Sequence, residues 1–299
     1  MQLDFTVEKI EPVTIAAPDA LTGSAWMSPY VWRLEGGGHA MLVRVVPPPG
    51  AGRVDTGSIW YGTSEDGVHF TLDDSPAIAP GPDANDIGGC EDPTYVADGD
   101  RVLVYYTGVD ANGATGRLML AQGPDMRHLT KSGVALASSK TEGNTKEATI
   151  DRTSGGKWWL FYEYAHADAS RIGLALGDGA CGPWHEHPHP FDPREGRWDS
   201  WHLSTGPMLT TDKEHPVMFY NGATRDARWR IGWIAFDREY TRVVDRCVEP
   251  LIVPPPQPER SMADIAFAAS VIAHGDSAIL YYSIADARLE RAHIRRYAR

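Results

Sequence analysis

The chain has 299 residues, of which 42% are hydrophobic and 23% are charged, as expected for a soluble globular protein. Its formal net charge of −12 and isoelectric point near 5.3 would repel polyanions, which argues against nucleic acid and anionic membrane surfaces as partners. Three widely spaced cysteines, Cys90, Cys181 and Cys247, match neither a disulfide framework nor a zinc motif, so neither a metal nor another cofactor is predicted.

Five short segments rich in β-branched and aromatic residues recur along the chain at intervals of about 60 residues. Each predicts a β-strand, because such side chains suit a pleated and half-buried surface. In chain order the segments are HAMLVRVV (39–46), RVLVYYT (101–107), KWWLFYEY (157–164), HPVMFYN (215–221) and SAILYYS (277–283).

Similar strand-like stretches flank each of these segments, and turn-forming Gly, Asp and Asn separate them. The preceding stretches begin with polar residues and read SPYVWRL, EDPTYVA, KEATIDR, STGPMLT and DIAFAASVI. The following stretches are SIWYGTS (58–64), GRLMLAQ (116–122), RIGLALG (171–177), RIGWIAF (230–236) and the weaker RLERAHI (288–294). A fourth, outer strand is predicted where the chain returns, as at VHFTLDD.

Three or four strands repeated five times predict an all-β fold, a single five-bladed β-propeller that spans residues 1–299. A β-sandwich of irregular strands is the alternative, but it leaves the recurrence unexplained. Proline-rich segments at 46–53 and 252–260 are interpreted as excursions between strands. The N-terminus lacks the basic start and apolar core of a secretory signal, and no apolar run could span a bilayer, so a cytoplasmic location is expected.

The starts of the innermost strands are where chemistry is expected, because in a propeller these strands line the central channel. Charge begins three of them, at Glu91 and Asp92, at Lys146 and Glu147, and at Asp264. The phrase GGCEDPTYV is the most informative, since its glycines let the backbone approach a ligand and its proline fixes the turn. A turn-capping aspartate is the alternative interpretation of this pattern alone.

The segment GCEDPTYV resembles the Glu-Asp-Pro-Arg signature of glycoside hydrolase family 130, the mannoside phosphorylases and β-mannosidases. The resemblance continues in order along nearly the whole chain, through NTKEATIDR, STGPMLTTDKEHPVMFYNGA, WRIGWIAFD, VEPLIVPP and ADIAFAASVI…LYYSIAD. The fold of that family is a five-bladed propeller, in agreement with the repeat count. The resemblance implies an enzyme that acts on a β-linked, mannose-containing oligosaccharide.

The resemblance also implies roles for individual residues. Asp92 matches the catalytic aspartate, the proton donor, which acts through a hydroxyl of the bound sugar. Arg44 matches an arginine that contacts sugar, and Asp286 matches an aspartate that binds the terminal sugar. Tyr220 matches a tyrosine of the subsite, and Ser28 stands where the family has an asparagine before proline. The residues expected to bind substrate are Ser28, Arg44, Glu91, Arg117, Lys146, Tyr220 and Asp286.

Phosphorolysis would need fixed cations, because phosphate must settle beside a carboxylate. The arginine of the family signature is replaced by Thr94, which is the clearest departure from the family pattern. Arg117 and Lys146 stand at plausible positions, and a loose alignment offers Lys131 as a third cation. Taken singly, each of these cations also fits a solvated surface charge.

Hydrolysis would instead need a carboxylate that activates water across the channel from Asp92. Glu163 stands where the phosphorylases carry a basic His-Arg-Pro phrase, and Asp199 precedes the fourth predicted blade. Both are candidate catalytic bases, because they come from neighbouring blades and could flank one water. An acid in place of a base at position 163 would also repel phosphate. The sequence therefore favours an inverting glycoside hydrolase, with a phosphate-dependent mannoside phosphorylase of the same fold as the alternative.

Two further functions stay open. A propeller of the arabinosidase and xylosidase kind would want an aspartate base in the first blade, where no carboxylate occurs before Glu35. A catalytically silent propeller would bind glycans without turnover. The histidines of WHEHPHPFDP (184–193), together with His166 and His202, are interpreted as loop or structural residues, not metal ligands. The expected partners are an oligosaccharide and, for a phosphorylase, inorganic phosphate. The sequence does not determine whether the chain forms a homo-oligomer.

Overall fold

The structure is a computed structural model that describes residues 3–48, 55–137, 139, 143–153, 155–256 and 264–298. Within these ranges the chain is all-β, and the helical content is one 3-10 turn at Asp19–Leu21. None of the helical structure in the described ranges is long and apolar enough to cross a membrane.

One eight-stranded sheet joins the two ends of the chain. Its order is β2-β3-β4-β5-β1-β23-β22-β21. The first strand closes it, because β1 pairs parallel with β5 through Thr14–Ala16 and antiparallel with β23. The bounds are β1 Leu3–Ala16, β2 Ala25–Arg33, β3 His39–Val46, β4 Ser58–Ser64, β5 His69–Leu72, β21 Ala266–His274, β22 Ser277–Ile284 and β23 Arg288–Ala298.

Two four-stranded antiparallel sheets follow in sequence order, each built from consecutive strands. The first contains β6 Gly89–Asp98, β7 Arg101–Val109, β8 Gly116–Gly123 and β9 Thr130–Leu136. The second contains β10 Gly143–Arg152, β11 Trp158–His166, β12 Ala169–Gly177 and β13 His185–His187.

The fourth repeat is split into two smaller sheets. One has β14 His202–Ser204, β17 Asn221–Ala223 and β18 Trp229–Ile231, and the other has β15 Met208–Leu209, β16 Val217–Met218, β19 Ile234–Phe236 and β20 Val243–Arg246. Close backbone packing accompanies the split, since a Cβ on Gly206 would lie 1.8 Å from the carbonyl oxygen of Phe219. The predicted single strand HPVMFYN is therefore two short strands.

STGPMLT and RIGWIAF are likewise divided, between β14 and β15 and between β18 and β19, while the remaining predicted strands are confirmed. The segments at 39–46, 101–107 and 277–283 lie within β3, β7 and β22, and 157–164 matches β11 apart from its first residue. These runs formed strands because their β-branched and aromatic side chains are buried between sheets, as with Tyr105, Tyr106 and Tyr281. The proline-rich segments at 46–53 and 252–260 lie partly outside the described residues.

One hydrophobic cluster joins the N-terminal strand to the last three repeats. The ring of Phe5 makes edge contacts with Phe219 at 5.2 Å and with Trp233 at 5.4 Å between centroids. Edge-to-face aromatic pairs of this kind stabilise a core beyond the area that they bury. The N-terminal strand thus holds distant parts of the chain together around the site described next.

Candidate active site

The pairing registers bring five equivalent residues of the five repeats to the same level of their sheets. In each repeat the middle strand contributes one residue opposite an aliphatic residue of the following strand, namely Ile59, Leu118, Ile172, Ile231 or Leu289. All five middle-strand residues are polar, which is unusual for buried strands. They are Arg44, Thr107, Glu163, Asn221 and Ser283.

Four inner strands carry a register shift beside this level, and in three of them a residue at the shift has a left-handed backbone. At the shifts Ser28, Asp92 and Glu147 have φ angles of 53°, 47° and 49°, in the left-handed region that residues with a Cβ rarely adopt. A bulge of this kind re-aims a side chain, and its strain of roughly 1–3 kcal/mol persists where the surroundings enforce it. All three residues line one open cavity.

Asp92 is held by two neighbours from the first repeat. Ser28 Oγ donates a hydrogen bond to Asp92 Oδ1 at 2.5 Å, and Arg44 Nη1 lies 3.7 Å from the same oxygen. Arg44 is itself fixed, because its Nη2 donates to Glu91 Oε1 at 2.6 Å and its Nε donates to the carbonyl of Thr56 at 2.9 Å. The structure thus brings together the predicted residues Ser28, Arg44, Glu91 and Asp92.

Glu147 is a member of this group that sequence analysis did not assign to the site. Its side chain lies within hydrogen-bonding reach of the Asp92 carboxyl, and its N–H donates to Thr107 Oγ1 at 3.3 Å. Burial raises the pKa of Glu147 well above its usual value, and the charges of Asp92 and Glu163 add to that effect against Lys146. A signal was present in the sequence, since KEATIDR is the same repeat phrase as EDPTYVA and both place an acid second.

Lys146 and Glu163 form an ion pair beside the cavity. Lys146 Nζ lies 3.4 Å from Glu163 Oε1, and Ser170 Oγ donates to the same oxygen at 2.9 Å. The Glu163 carboxylate raises the pKa of Lys146, which therefore stays charged. Glu163 is only 4% exposed, so the predicted base is paired with a cation and largely shielded from solvent.

Two other predicted residues lie within reach of the group. Burial and the negative charge of Asp92 raise the pKa of Asp286, while the charge of Arg44 opposes this, so Asp286 shares their electrostatic environment. Asp286 also has a left-handed backbone, with φ of 48°. Half-buried Arg117 donates to the carbonyl of Gly116 at 3.0 Å, and the N–H of Gly116 donates to Asn144 Oδ1 at 2.9 Å.

Two positions considered as cation sites have structural roles. Thr94 Oγ1 donates to the carbonyl of Ala148 at 2.6 Å and thereby joins β6 to β10. Lys131 Nζ donates to Asp86 Oδ2 at 2.5 Å and to the carbonyls of Ala79 and Gly81 at 2.6 and 2.7 Å. These three acceptors use the three N–H groups of the ammonium, so Lys131 has no N–H group left to donate to phosphate.

Asp199 and Tyr220 lie in a different, fully buried cluster. Asp199 Oδ2 accepts hydrogen bonds from Arg246 Nη2 at 2.5 Å and from the Tyr220 hydroxyl at 2.6 Å. Arg194 Nε lies 3.1 and 3.0 Å from the two oxygens of the same carboxylate. The structure therefore does not bring Asp199 or Tyr220 to the cavity of Asp92, because both side chains are occupied by a network that excludes solvent.

The histidines belong to local contacts. His202 Nδ1 accepts a hydrogen bond from the N–H of Ser170 at 3.1 Å, and burial lowers the pKa of His202. His189 Nε2 lies 2.9 Å from Asp192 Oδ1. Within the described ranges, no three His, Cys, Asp or Glu side chains converge in a way that could hold a metal ion.

The arrangement suits acid catalysis on a polar ligand. A carboxyl group at Asp92 faces a cavity that a second carboxyl and a hydroxyl also line, and a guanidinium lies 3.7 Å from Asp92 Oδ1. Carboxylate and arginine groups fix sugar hydroxyls through charge-assisted hydrogen bonds, and a protonated carboxyl can donate to a leaving oxygen.

Comparisons with known proteins agree with this chemistry. The sequence profile of glycoside hydrolase family 130, described as β-1,4-mannooligosaccharide phosphorylase, matches residues 51–295. β-1,2-Mannobiose phosphorylase of Listeria innocua serovar 6a is 25% identical over 227 residues, which are 75% of this chain and 62% of that protein. The chain thus spans under two thirds of that relative's length. 1,2-β-Oligomannan phosphorylase of a Thermoanaerobacter species is 24% identical over 76% of this chain and 74% of that protein.

Solved structures show the same fold. β-1,2-Mannobiose phosphorylase from Listeria innocua, in complex with β-1,2-mannobiose, has a TM-score of 0.78 over 96% of this chain and 91% of that chain, at 20% identity. A second structure has a TM-score of 0.74 over 90% of this chain and 84% of that chain, at 23% identity. It is described by the statement that this family of mannoside phosphorylases contains glycoside hydrolases that target β-1,2 mannosidic linkages in Candida mannan.

Proposed function

The chain belongs to glycoside hydrolase family 130, and from that membership we propose that it is a mannoside phosphorylase, which cleaves a β-mannosidic bond with inorganic phosphate as the nucleophile. The curated relatives named above are phosphorylases of β-1,2-linked mannosides, and they favour this function over the hydrolysis that the sequence favoured. The substrate that we propose is accordingly a β-1,2-linked mannobiose or oligomannan.

We also propose that the whole chain, residues 1–299, is one five-bladed propeller domain. The two four-stranded sheets, the split fourth repeat and the two halves of the eight-stranded sheet would be its blades. The equivalent registers of the five middle strands support this arrangement, as does the fold shared with the Listeria phosphorylase. The channel at its axis would then contain Asp92.

The observation that carries the proposal is the seating of Asp92 in the cavity between Ser28, Arg44 and Glu147. A carboxyl group in this position can protonate the leaving oxygen, directly or through a hydroxyl of the bound sugar. Phosphate attacks the anomeric carbon from the opposite face as the glycosidic bond breaks. The products are α-mannose 1-phosphate and the leaving sugar, which takes the proton.

The cations for phosphate would be Lys146 and Arg117. Lys146 is within electrostatic reach of Glu91, Asp92 and Glu147, so an anion bound to it would lie close to the reacting bond. Arg117 donates to a backbone carbonyl, and its guanidinium has further N–H groups for an anion. The two lie on adjacent sheets, since Gly116 contacts Asn144 of the strand that carries Lys146.

Hydrolysis is the second candidate, and a specific contact favours it. Glu163 offsets the charge of Lys146 at 3.4 Å, which weakens the attraction for phosphate. A structural neighbour with a TM-score of 0.74 comes from work on hydrolases of this family. Glu163 would then be the base that activates water.

The test is the rate of cleavage of β-1,2-mannobiose with and without phosphate. We expect mannose 1-phosphate in the presence of phosphate and negligible release of sugar in its absence. Equal release of free mannose under both conditions would establish hydrolysis instead. Saccharide binding in calorimetry without turnover on any β-linked manno-oligosaccharide would identify a glycan-binding protein without catalysis.

A further inference from the structure

The carboxyl groups of Asp92 and Glu147 meet although they come from two different sheets. Each is the residue at a left-handed bulge of its inner strand, each lines the same cavity, and the two carboxyl groups lie within hydrogen-bonding reach of each other. Two carboxylates are both acceptors, so a hydrogen bond between them requires a proton on one of the two.

We propose that Asp92 and Glu147 hold one proton between them through neutral pH, and that Glu147 is the positioning residue that keeps this proton available to Asp92. The inference rests on the proposed function, in which Asp92 is the acid. It assigns to Glu147 a role that acts through Asp92 and needs no contact between Glu147 and the reacting atoms.

The charges around the pair favour one shared proton. Glu91 and Asp286 lie near Asp92, and Glu163 lies near Glu147, so further carboxylates surround the pair. The two nearby cations are shared with other carboxylates, because Arg44, 3.7 Å from Asp92, also donates to Glu91, and Lys146 pairs with Glu163. Ionising both members would leave two adjacent negative charges that these shared cations offset only in part. The pair therefore loses its last proton only at a raised pH.

The benefit to the reaction is a carboxylic acid at the pH of the cell. An isolated aspartic acid is protonated in only about one molecule in a thousand near pH 7. A pair that retains a proton supplies the acid without any change in the side chain. The strained backbone at both bulges fits this purpose, because strain is retained where it assembles a working site.

The decisive variant is Glu147→Gln, which keeps a hydrogen-bonding group next to Asp92 and removes the negative charge. Asp92 then loses its proton without the repulsion of a second carboxylate. We expect the basic limb of the kcat/KM profile to move to lower pH by roughly 1 to 3 units, with activity retained on the acidic side. The control is Glu186→Gln, which changes an exposed glutamate of β13 in the same sheet as Glu147 and should leave the profile unchanged.

Two results would overturn the proposal. If the profile of the folded Glu147→Gln protein has its basic limb at the wild-type position, Glu147 does not affect the proton of Asp92. If the folded variant is inactive at every pH while an ordinary acid at Asp92 should still be protonated, Glu147 itself contacts the reacting atoms.

A readout without turnover separates this inference from the proposed function. ¹³C NMR of the side-chain carboxyl carbons of the full chain should show one carboxyl that titrates well above the usual range, and Asp92→Asn should move that titration to lower pH. A shared proton in a protein that cleaves no β-mannoside would support the inference about Asp92 and Glu147 and refute the proposed function. Phosphorolysis by a protein whose two carboxyls titrate normally would refute the pair alone.

Discussion

Asp199 provides the sharpest contrast between a structural and a catalytic role. As a catalytic base it would need contact with solvent, yet it is fully buried and accepts hydrogen bonds from Arg194, Arg246 and Tyr220. The substitution Asp199→Asn removes the charge at almost constant volume and leaves two guanidinium groups facing a neutral amide. We therefore expect a large loss of stability without a direct effect on chemistry.

The magnitude follows from burial. Removing one partner of a buried ion pair costs about 3–5 kcal/mol, and the lower end applies here because Arg194 remains 25% exposed and Arg246 10%. In a chain of this size each kcal/mol corresponds to about 2 °C, so the unfolding midpoint should fall by about 6 °C. Scanning calorimetry measures this, and kcat/KM is measured well below the transition.

The matched control is Asp192→Asn, because Asp192 lies nearby and its side chain is 74% exposed. It should leave both the midpoint and the activity unchanged. The reasoning is refuted if Asp199→Asn unfolds at the wild-type temperature, and still more directly if it does so while losing activity, since that would restore Asp199 as a base.

Two further substitutions test the cations. Lys146→Gln should raise the KM for phosphate by about tenfold or more, because one charged contact to phosphate contributes on the order of 1.5–3 kcal/mol. The control is Lys157→Gln, which changes an exposed lysine in the turn before β11 and should leave this KM unchanged. An unchanged KM in Lys146→Gln would exclude Lys146 from the phosphate site. Lys131→Met should lower the free energy of unfolding by about 3 kcal/mol, because it leaves fully buried Asp86 without its cation. The KM for phosphate should stay unchanged. A raised KM with normal stability would show that Lys131 binds phosphate.

The strands could be predicted because their signal is local. Runs such as RVLVYYT and SAILYYS are dense in residues that prefer pleated, buried surfaces, and the same phrase recurs five times. The exceptions all lie in the fourth repeat, where STGPMLT, HPVMFYN and RIGWIAF are each split between two short strands. That split depends on close backbone contacts of Gly206 with Phe219, which arise only when the repeats have packed together.

The site residues that belong to a sequence motif could be predicted, whereas those whose role depends on long-range contacts could not. Ser28, Arg44 and Asp92 were expected to meet, and they do. Glu147 was recognised as a charged start of an inner strand but was given no role, because a bulge, which composition does not reveal, turns its side chain towards Asp92. Asp199 was interpreted as a base because its pairing with Arg246, almost fifty residues later in the chain, cannot be read from the local segment RWDSWHLS.

The most direct test of the account is the configuration of the first product. With β-1,2-mannobiose and phosphate, ¹H and ³¹P NMR recorded from the start of the reaction should show α-mannose 1-phosphate, and Asp92→Asn should form it roughly 10²- to 10⁴-fold more slowly. Formation of the β-anomer, or free mannose at a rate independent of phosphate, would contradict in-line attack by phosphate in the cavity of Asp92.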